Sequence, residues 1–313
     1  MIALRPTSPD DLPALSAFYA DRFGQELTLE AWQWKYRAIP GEARSFVAIE
    51  EEEGRVLAHA GALCLPARWR SALVGIWQLV DFAGLPSGRG LRPALVDLGD
   101  ALLADLPREG EAPWIFGFPS QRHFRLGERV FGYRPLATVD ELEGALPEAA
   151  VPAGVEIASG DSCAAWAEAA WERCGVCGIR RSVAFLNWRY YARPARYYRF
   201  YRLRSGETDG LAVFAFVHDE AWAAELWLPS AEDWLPSLLA VAADLRASGL
   251  RRWRFWPPPA GDSGEGVGRA LAALGLTPSG ERRFLGCRGG RSGFDPVAAA
   301  AGFTYAMGDY DLV

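Results

Sequence analysis

Lysine is nearly absent from this chain of 313 residues, in which Lys35 is the only one and arginine carries almost all of the positive charge. Acidic residues outnumber basic ones, 39 against 33, which gives a net charge of −6 and a pI of about 5.3. Because nucleic-acid binding relies on clustered positive charge, this balance predicts a protein without a nucleic-acid partner. We interpret the preference for arginine as a compositional bias.

Cysteine and histidine are also scarce, with five and three residues. An odd number of cysteines cannot pair completely, and without a secretory signal all five are predicted to be free thiols. Cys174 and Cys177 form one Cys-x-x-Cys pair, but a zinc site needs two more ligands at suitable spacing. Neither a second pair nor a neighbouring histidine is present, so the sequence predicts no metal site. The other cysteines are Cys64, Cys163 and Cys287.

Long apolar runs are missing too. No stretch approaches 18 uninterrupted apolar residues, and the N-terminus has no basic segment followed by an apolar run. These absences predict a cytoplasmic protein with no membrane partner. With 50% hydrophobic and 23% charged residues, the chain has the composition of a folded protein and the length of one large or two ordinary domains.

The segment from Gly75 to Leu106 carries the clearest pattern. A β-type run from Ile76 to Phe82 leads into a turn rich in glycine and proline, and then into a helix with an apolar face. Glycines before a helix expose backbone amides, and the first helical turn is partially positive, so the loop suits a phosphate or pyrophosphate. It is neither a GxxxxGK loop nor a GxGxxG loop, and a plain strand-to-helix connection remains the alternative.

Residues 87–92, Ser-Gly-Arg-Gly-Leu-Arg, resemble the pyrophosphate loop of GNAT (GCN5-related) acyltransferases, where Arg/Gln-x-x-Gly-x-Gly/Ala follows the fourth strand. The first and last positions depart from that pattern. The resemblance implies an α/β fold with a mixed central sheet flanked by helices, and acetyl-CoA as cosubstrate. The cofactor-binding residues that it implies are Phe82, Ala83, Gly84, Ser87, Gly88, Arg89, Gly90, Leu91, Arg92 and Ser120.

The order of the predicted elements is also similar to that family. A strand from Ile2 to Arg5 and an amphipathic helix open the chain, and Thr28 is predicted to cap a second helix. Two strands over 45–50 and 55–65 then precede the central strand. After the central helix, a strand ending in GFPS and a helix from Gln121 to Phe131 resemble the family's fifth strand and fourth helix.

The second half repeats features of the first. The motif Trp-Lys-Tyr-x-x-x-Pro that begins at Trp34 recurs as Trp-Arg-Tyr-x-x-x-Pro from Trp188, and matching β-type runs and helices follow both copies. We therefore predict two GNAT-like domains in tandem, residues 1–145 and 151–313, joined by a linker over about 136–156. We interpret the repeated motif as helix packing, with acceptor binding as the alternative.

The second copy lacks a glycine loop between its corresponding strand and helix, where the chain reads LPSAEDW. It is predicted to be a degenerate domain that shapes the acceptor site and holds no second cofactor. The alternation of Phe303, Tyr305 and Met307 predicts a final strand.

Acyl transfer to an amine needs a proton acceptor and an acid for the departing thiolate. Asp81, at the end of the central strand, is the predicted base, and an ordinary turn aspartate is the alternative. In many family members, a tyrosine four residues before the glycine that closes the fourth helix acts as the acid that protonates the departing thiolate. Here Glu128 holds that position and is a second candidate base, while His123 is a candidate acid. Tyr133 is predicted to lie in the core.

These patterns predict an N-acetyltransferase that moves an acetyl group from acetyl-CoA to an amine of a small molecule or peptide, acting as a monomer or homodimer. Two other classes remain open. One is a non-catalytic GNAT-like binding protein. The other is a tandem-GNAT aminoacyl transferase that uses aminoacyl-tRNA, although the acidic charge disfavours a tRNA partner.

Overall fold

The computed structural model describes residues 1–69, 72–85, 91–106, 112–148, 155–160, 165–174, 177–205, 208–228, 230–257, 262–290 and 303–310. It confirms the α/β fold class, because mixed sheets are flanked by helices in both halves of the chain. The chain forms two compact units, and neither is continuous in sequence. No helix in these ranges is long and apolar enough to cross a bilayer.

Unit one contains residues 1–66, 75–135 and the end of strand β13 from Leu285. Its elements are β1 (Ile2–Pro6), α1 (Leu12–Phe23), α2 (Leu29–Tyr36), β2 (Glu42–Glu50), β3 (Arg55–Trp69), β4 (Ala72–Gly84), α3 (Leu91–Asp105), β5 (Ala112–Gly117), α4 (Gln121–Val130) and the end of β13 (Thr277–Gly290). The strand order is β1-β2-β3-β4-β5-β13. Pairings β1–β2, β2–β3 and β5–β13 are antiparallel, and β4–β5 is parallel.

The helices of unit one form where the sequence predicts them. The Thr28 side chain accepts a hydrogen bond from the Ala31 amide at 3.1 Å and caps α2, as expected from the sequence. Leucines along α3 are buried on one side. Gly99 on that helix allows α4 to pack closely, because a Cβ there would lie 2.5 Å from a methyl carbon of Val130. The helices that follow β4 and β5 are therefore direct neighbours.

Unit two contains the described residues of 67–74, 136–284 and 303–310. Its elements are β6 (Arg134–Ala145), β7 (Val155–Gly160), α5 (Ala165–Arg173), β8 (Gly178–Ile179), α6 (Val183–Leu186), β9 (Tyr197–Ser205), β10 (Thr208–Val217), β11 (Glu220–Trp227), α7 (Trp234–Ala247), β12 (Arg252–Phe255), α8 (Asp262–Ala273) and the start of β13. The strand order β7-β9-β10-β11-β12-β6 matches that of unit one. The fourth and fifth strands, β11 and β12, pair in parallel, whereas the pairings β7–β9, β9–β10, β10–β11 and β12–β6 are antiparallel.

The linker prediction for residues 136–156 is wrong in its first part. Strand β6 covers this region and pairs with β12, and Leu136, Val139 and Glu141 on it are buried. The local composition is typical of a linker, but the partner strand lies more than 100 residues later, so composition could not reveal the pairing. The predicted boundary between residues 145 and 151 stays a prediction, since the two units do not divide the chain at one point.

The predicted final strand is also wrong. Phe303 makes one isolated bridge with Cys177, and Met307–Asp309 is a short 3-10 turn. Side chains replace strand pairing here: Arg189, 4% exposed, donates hydrogen bonds to the carbonyl oxygens of Gly308 at 2.9 Å and Tyr310 at 2.5 Å. This C-terminal segment, Phe303–Tyr310, is thus held in unit two by a buried guanidinium.

We predict that Arg189→Met lowers the free energy of unfolding by roughly 3–5 kcal/mol, because two charge-assisted hydrogen bonds are lost and two buried carbonyls are left unpaired. Urea unfolding measures the loss, and hydrogen exchange should show deprotection of residues 303–310. The exposed Arg251→Met is the matched control and should change stability by less than about 0.5 kcal/mol. Unchanged protection of the segment in Arg189→Met would contradict this account.

Candidate functional site

Strands β4 and β5, the parallel pair of unit one, both end at the same edge of the sheet. Ile76–Gln78 pair with Trp114–Phe116, whereas β4 continues to Gly84. Strand β5 leads to Ser120, the N-cap of α4, and α3 begins at Leu91 soon after β4. Because β4 and β5 run in the same direction, both following helices begin at the same edge of the sheet. In α/β sheets, ligands bind in the crevice outside the carboxyl ends of parallel strands, so this edge is the candidate site.

Asp81 has an unusual backbone conformation within β4. It lies three residues beyond Gln78, the last residue paired with β5, and its φ is +53°. The left-handed region costs a residue with a side chain on the order of 1–3 kcal/mol, so the surroundings must hold it. Such a residue interrupts the regular alternation of N–H and C=O groups along a strand, as β-bulges do. Continued in the register of the parallel pair, Asp81 would lie opposite residue 119, past the end of β5 at Gly117, so Asp81 is on the part of β4 that extends beyond its parallel partner.

The Asp81 side chain is held by two consecutive residues at the end of α2. Lys35 donates to both carboxylate oxygens at 2.9 Å, and the Tyr36 hydroxyl donates to Oδ2 at 2.6 Å. The lysine side chain is 9% exposed and the aspartate side chain 2%. Gly61 on β3 makes room for this arrangement, because any Cβ there would collide with the Tyr36 hydroxyl.

His59 binds the other side of Asp81. It is fully buried on β3, with Nδ1 3.3 Å from the Asp81 carbonyl oxygen and 3.5 Å from the Tyr19 hydroxyl. Its Nε2 lies 2.9 Å from Ser45 Oγ. We call Lys35, Tyr36, His59 and Asp81 the Asp81 cluster. Its three partner residues fix both the side chain and the backbone carbonyl of one strained residue.

Sequence reasoning missed most of this cluster. The packing interpretation of the Trp-Lys/Arg-Tyr motif fits the buried Trp34, but Lys35 and Tyr36 bind a carboxylate. The signal was the lysine itself. In a chain that otherwise uses arginine, a single lysine between two aromatic residues indicates a site that needs a compact point charge on a flexible stem. His59 had no comparable signal.

The cofactor-binding residues predicted on β4 lie at its end. Phe82 packs edge-to-face against Phe131 with 4.6 Å between ring centroids, Ala83 is buried, and Gly84 is partly exposed. Ser87, Gly88, Arg89 and Gly90 lie outside the described residues. Leu91 and Arg92 begin α3, and their side chains are also outside the described part.

The remaining predicted site residues lie on or beside α4. Ser120 Oγ is 3.0 Å from His123 Nδ1, so these two predicted residues are brought together. Partial desolvation and the charges of Arg122 and Arg22 lower the pKa of His123 below its ordinary value, which favours neutral imidazole at pH 7. Glu128 is exposed further along the helix.

Tyr133, which follows α4, is buried, as the sequence predicts. Burial raises the pKa of its hydroxyl far above the ordinary value, so this tyrosine stays protonated at neutral pH.

Unit two contains a counterpart of the Asp81 cluster. Glu225 on β11 lies three residues beyond Trp222, one of the residues that pair β11 with β12. The Tyr190 hydroxyl donates to Glu225 at 2.5 Å, as Tyr36 does to Asp81, and Arg181 Nε lies 3.0 Å from both Glu225 oxygens. The tyrosine of the repeated motif thus holds a carboxylate on the fourth strand in both units.

The C-terminal segment packs against this second carboxylate site. A Cβ on Gly308 would lie 2.8 Å from the Ala224 carbonyl oxygen and would collide with the Tyr190 hydroxyl. Asp309, 2% exposed, forms an ion pair with Arg181 at 2.8 Å. In unit two, the chain itself therefore covers β11 next to its carboxylate.

No metal-binding group was found in the described part of the chain, where His, Cys, Asp and Glu side chains never gather in threes with suitable geometry. The described cysteines are free thiols, and Cys163 lies outside the described residues. Burial raises the pKa of Cys64 and Cys174 to about 11 and that of Cys287 to about 12. These three thiols are thus protonated at neutral pH and are poor nucleophiles.

We predict that Lys35→Met lowers the free energy of unfolding by about 3–5 kcal/mol, because the Asp81 carboxylate is left buried without its cation. Adding Asp81→Asn, which removes the second charge, should recover part of the loss. Urea unfolding of the three proteins measures this, with the exposed Arg37→Met, two residues further along the chain, as a control that should cost less than about 1 kcal/mol. A fully additive double variant would show that the two side chains are not coupled.

The backbone is similar to those of several solved structures. A GCN5-related N-acetyltransferase from Anabaena variabilis gives a TM-score of 0.63 at 13% identity, over 92% of this chain and 72% of that chain. A tandem GNAT protein from the clavulanic acid biosynthesis pathway gives 0.61 at 14% identity, over 93% and 100% of the two chains. Saccharomyces cerevisiae N-myristoyltransferase with bound myristoyl-CoA gives 0.60 at 10% identity, over 96% and 84%.

No protein-family profile and no curated protein sequence matches this chain. At identities of 10–14%, the likeness concerns the fold. It confirms the fold that the loop and the element order indicate, and the chain has the GNAT fold.

Proposed function

We propose that this protein is an N-acetyltransferase that transfers an acetyl group from acetyl-CoA to the amine of a small molecule or peptide. The observation that carries the proposal is the geometry of β4. Its pairing with β5 stops at Gln78, the left-handed Asp81 follows, and α3 begins soon after the strand ends. A strand that extends past its parallel partner beside two helix N-termini offers backbone amides to a carbonyl and to phosphates. The similarity to solved acetyltransferases supports this choice of chemistry.

The residues at this edge fit a CoA thioester. Gly84 presents no side chain at the end of β4, and Ser120 opens α4 across the edge. The predicted loop residues 87–90 and the first turn of α3 would hold the pyrophosphate through backbone amides, with Arg89 and Arg92 adding positive charge. Acetyl-CoA would supply the acyl group as a thioester, so that transfer to a neutral amine forms a C–N bond, breaks a C–S bond, and moves the proton lost by the nitrogen to the departing thiolate, which leaves as the thiol.

We assign Asp81 a positioning role. Its carboxylate already accepts three hydrogen bonds and is 2% exposed, so the incoming amine would have to displace Lys35 or Tyr36 to reach it. A positioning role needs no such displacement. The existing contacts of Asp81 hold the strained backbone in place, so that the neighbouring backbone groups are already oriented when substrates bind. The sequence-based assignment of Asp81 as general base stays an alternative prediction.

Proton transfer then falls to the other predicted residues. His123 stands at the start of α4 next to Ser120, and its lowered pKa makes it neutral and able to accept a proton at pH 7. A lowered pKa also makes its protonated form rare at pH 7, so it suits the base role better than the predicted acid role. Glu128 remains the second candidate base, and the acid is water in this proposal.

The difference between the two units supports one binding site for the acyl donor per chain. The carboxylate site on β11 is covered by Gly308 and Asp309, and unit two has no glycine loop after its fourth strand. We therefore propose that unit one binds the donor and that unit two is a degenerate copy that contributes to the acceptor site. The acceptor amine, the choice of monomer or homodimer, and a cytoplasmic location stay predictions.

Titration calorimetry with acetyl-CoA should give one site per chain. Arg89→Ala should weaken binding by about 10–100-fold, because a charge-assisted phosphate contact of about 1.5–3 kcal/mol is lost. Gly90→Val should block close approach of the backbone. Arg251→Ala is the control and should bind as the unchanged protein does. Two equivalent sites, or normal binding by both loop variants, would overturn the assignment of the donor site.

Kinetics separate the two roles of Asp81. If it positions the strand, Tyr36→Phe and Lys35→Met should lower kcat by about 10–10²-fold, because small displacements of reacting groups are costly. The KM for acetyl-CoA should change little, and the pH dependence of kcat/KM should keep its shape. If instead only Asp81→Asn loses activity, by about 10²–10⁴-fold, and the acidic limb of its pH profile disappears, Asp81 is the base.

A non-catalytic binding protein is the second candidate, and the engagement of Asp81 by Lys35 and Tyr36 favours it. Such a protein would bind acetyl-CoA at one site and show no transfer to any amine in a broad acceptor panel. The aminoacyl transferase alternative predicts binding of aminoacyl-tRNA, which the net charge of −6 disfavours.

A further inference from the structure

Helix α4 carries a stripe of exposed arginines. Arg122, Arg125 and Arg129 are spaced at i, i+3 and i+7, which places them on one side of the helix. Phe124, Gly127 and Val130 are buried, and they form the side that packs on the unit. We call the three arginines the arginine face. It is a narrow basic strip on a protein with a net charge of −6.

This arrangement is unfavourable within the unit itself. Like charges three or four positions apart destabilise a helix by about 0.2–0.5 kcal/mol per pair, and a cation in the first turn opposes the helix dipole. In the part of the chain that the structure describes, no ion pair connects an acid to Arg122, Arg125 or Arg129. The charges therefore remain available for an external anionic group.

The position of α4 connects the arginine face with the donor site. The helix follows β5 as α3 follows β4, and the two strands are parallel. Close packing at Gly99 makes the helices neighbours, so both begin at the edge where the donor is proposed to bind. A partner lying along α4 would therefore stand beside the entrance to that site.

The shape of the arginine face indicates the kind of partner. Arg122 and Arg129 are separated by about 10 Å along the helix axis, at 1.5 Å per residue. The three side chains are exposed on a convex helix, whereas small ligands bind mainly in concave sites. A single strip of three arginines is too small for a nucleic-acid surface. A row of carboxylates on another protein matches both its length and its charge.

We propose that the arginine face docks an acidic carrier protein, which presents an acyl group to unit one on a phosphopantetheine arm. This inference rests on the proposed function, because such an arm carries the same pantetheine thioester as acetyl-CoA and would use the same opening beside β4. An acidic partner is repelled by the rest of this acidic protein. The arginine face supplies the local attraction that steers the partner to the entrance.

The test compares two donors, acetyl-CoA and an acidic acyl carrier protein loaded with an acetyl-phosphopantetheine arm. The variant is Arg125→Glu/Arg129→Glu, which leaves Arg122 beside His123 unchanged, and the matched control is Arg251→Glu. We expect kcat/KM for the loaded carrier to fall by about 10–10²-fold in the double variant, and its dependence on salt to flatten. The value for acetyl-CoA should stay within about twofold. Arg125→Lys/Arg129→Lys should restore most of the carrier activity.

Other results overturn the inference in distinguishable ways. A loss with acetyl-CoA that is absent both with the loaded carrier and with acetyl-dephospho-CoA would assign the arginine face to the 3′-phosphate of CoA, because the carrier's arm has no such phosphate. Turnover of acetyl-CoA without turnover of the loaded carrier in the unchanged protein would refute carrier docking alone. Lack of turnover with both donors would refute the proposed transferase function as well. Circular dichroism and urea unfolding of the double variant show whether its fold is intact.

Discussion

The buried ion pair between Lys35 and Asp81 is the interaction on which the geometry of unit one depends. Two charges in the interior cost several kcal/mol each in lost hydration, and attraction offsets this only when the geometry is good and the remaining lone pairs are satisfied. Lys35 spans both carboxylate oxygens, Tyr36 donates to one of them, and His59 faces the carbonyl oxygen. These contacts stabilise a left-handed residue inside β4, three residues beyond the last pairing with β5.

The same arrangement in unit two shows that the carboxylate belongs to the repeated fold. Tyr190 holds Glu225 as Tyr36 holds Asp81, although the cation is Arg181 instead of a lysine. The longer glutamate and the planar guanidinium form a network that also engages Asp309 of the C-terminal segment. Similar contacts therefore occur in two different settings. In unit one it lies beside the proposed donor site, and in unit two it anchors the chain's own C-terminal segment.

The proposed activity uses two kinds of groups near the end of β4, which are the buried groups that hold Asp81 and the exposed groups on α4. The interior groups around Asp81 are fully engaged, and they define backbone directions. The groups that we propose for proton exchange with substrates lie on α4, where Ser120 and His123 are close together. The arginine face adds positive charge to this helix alone, in a protein that is otherwise acidic. Positioning, proton transfer and partner attraction are in this way assigned to different elements of one sheet edge.

Local pattern determined the order of helices and strands, the cap at Thr28 and the repeat that begins at Trp34 and Trp188, because apolar periodicity and capping act over a few residues. The loop and this order also indicated the fold. Only the tertiary structure decided that β6 pairs with β12 and that the C-terminal segment binds Arg189. The partners in both cases are more than 100 residues apart in sequence. The role of Lys35 was decided by the tertiary structure too, because the lysine has a defined partner only once folding buries Asp81 beside it, out of water.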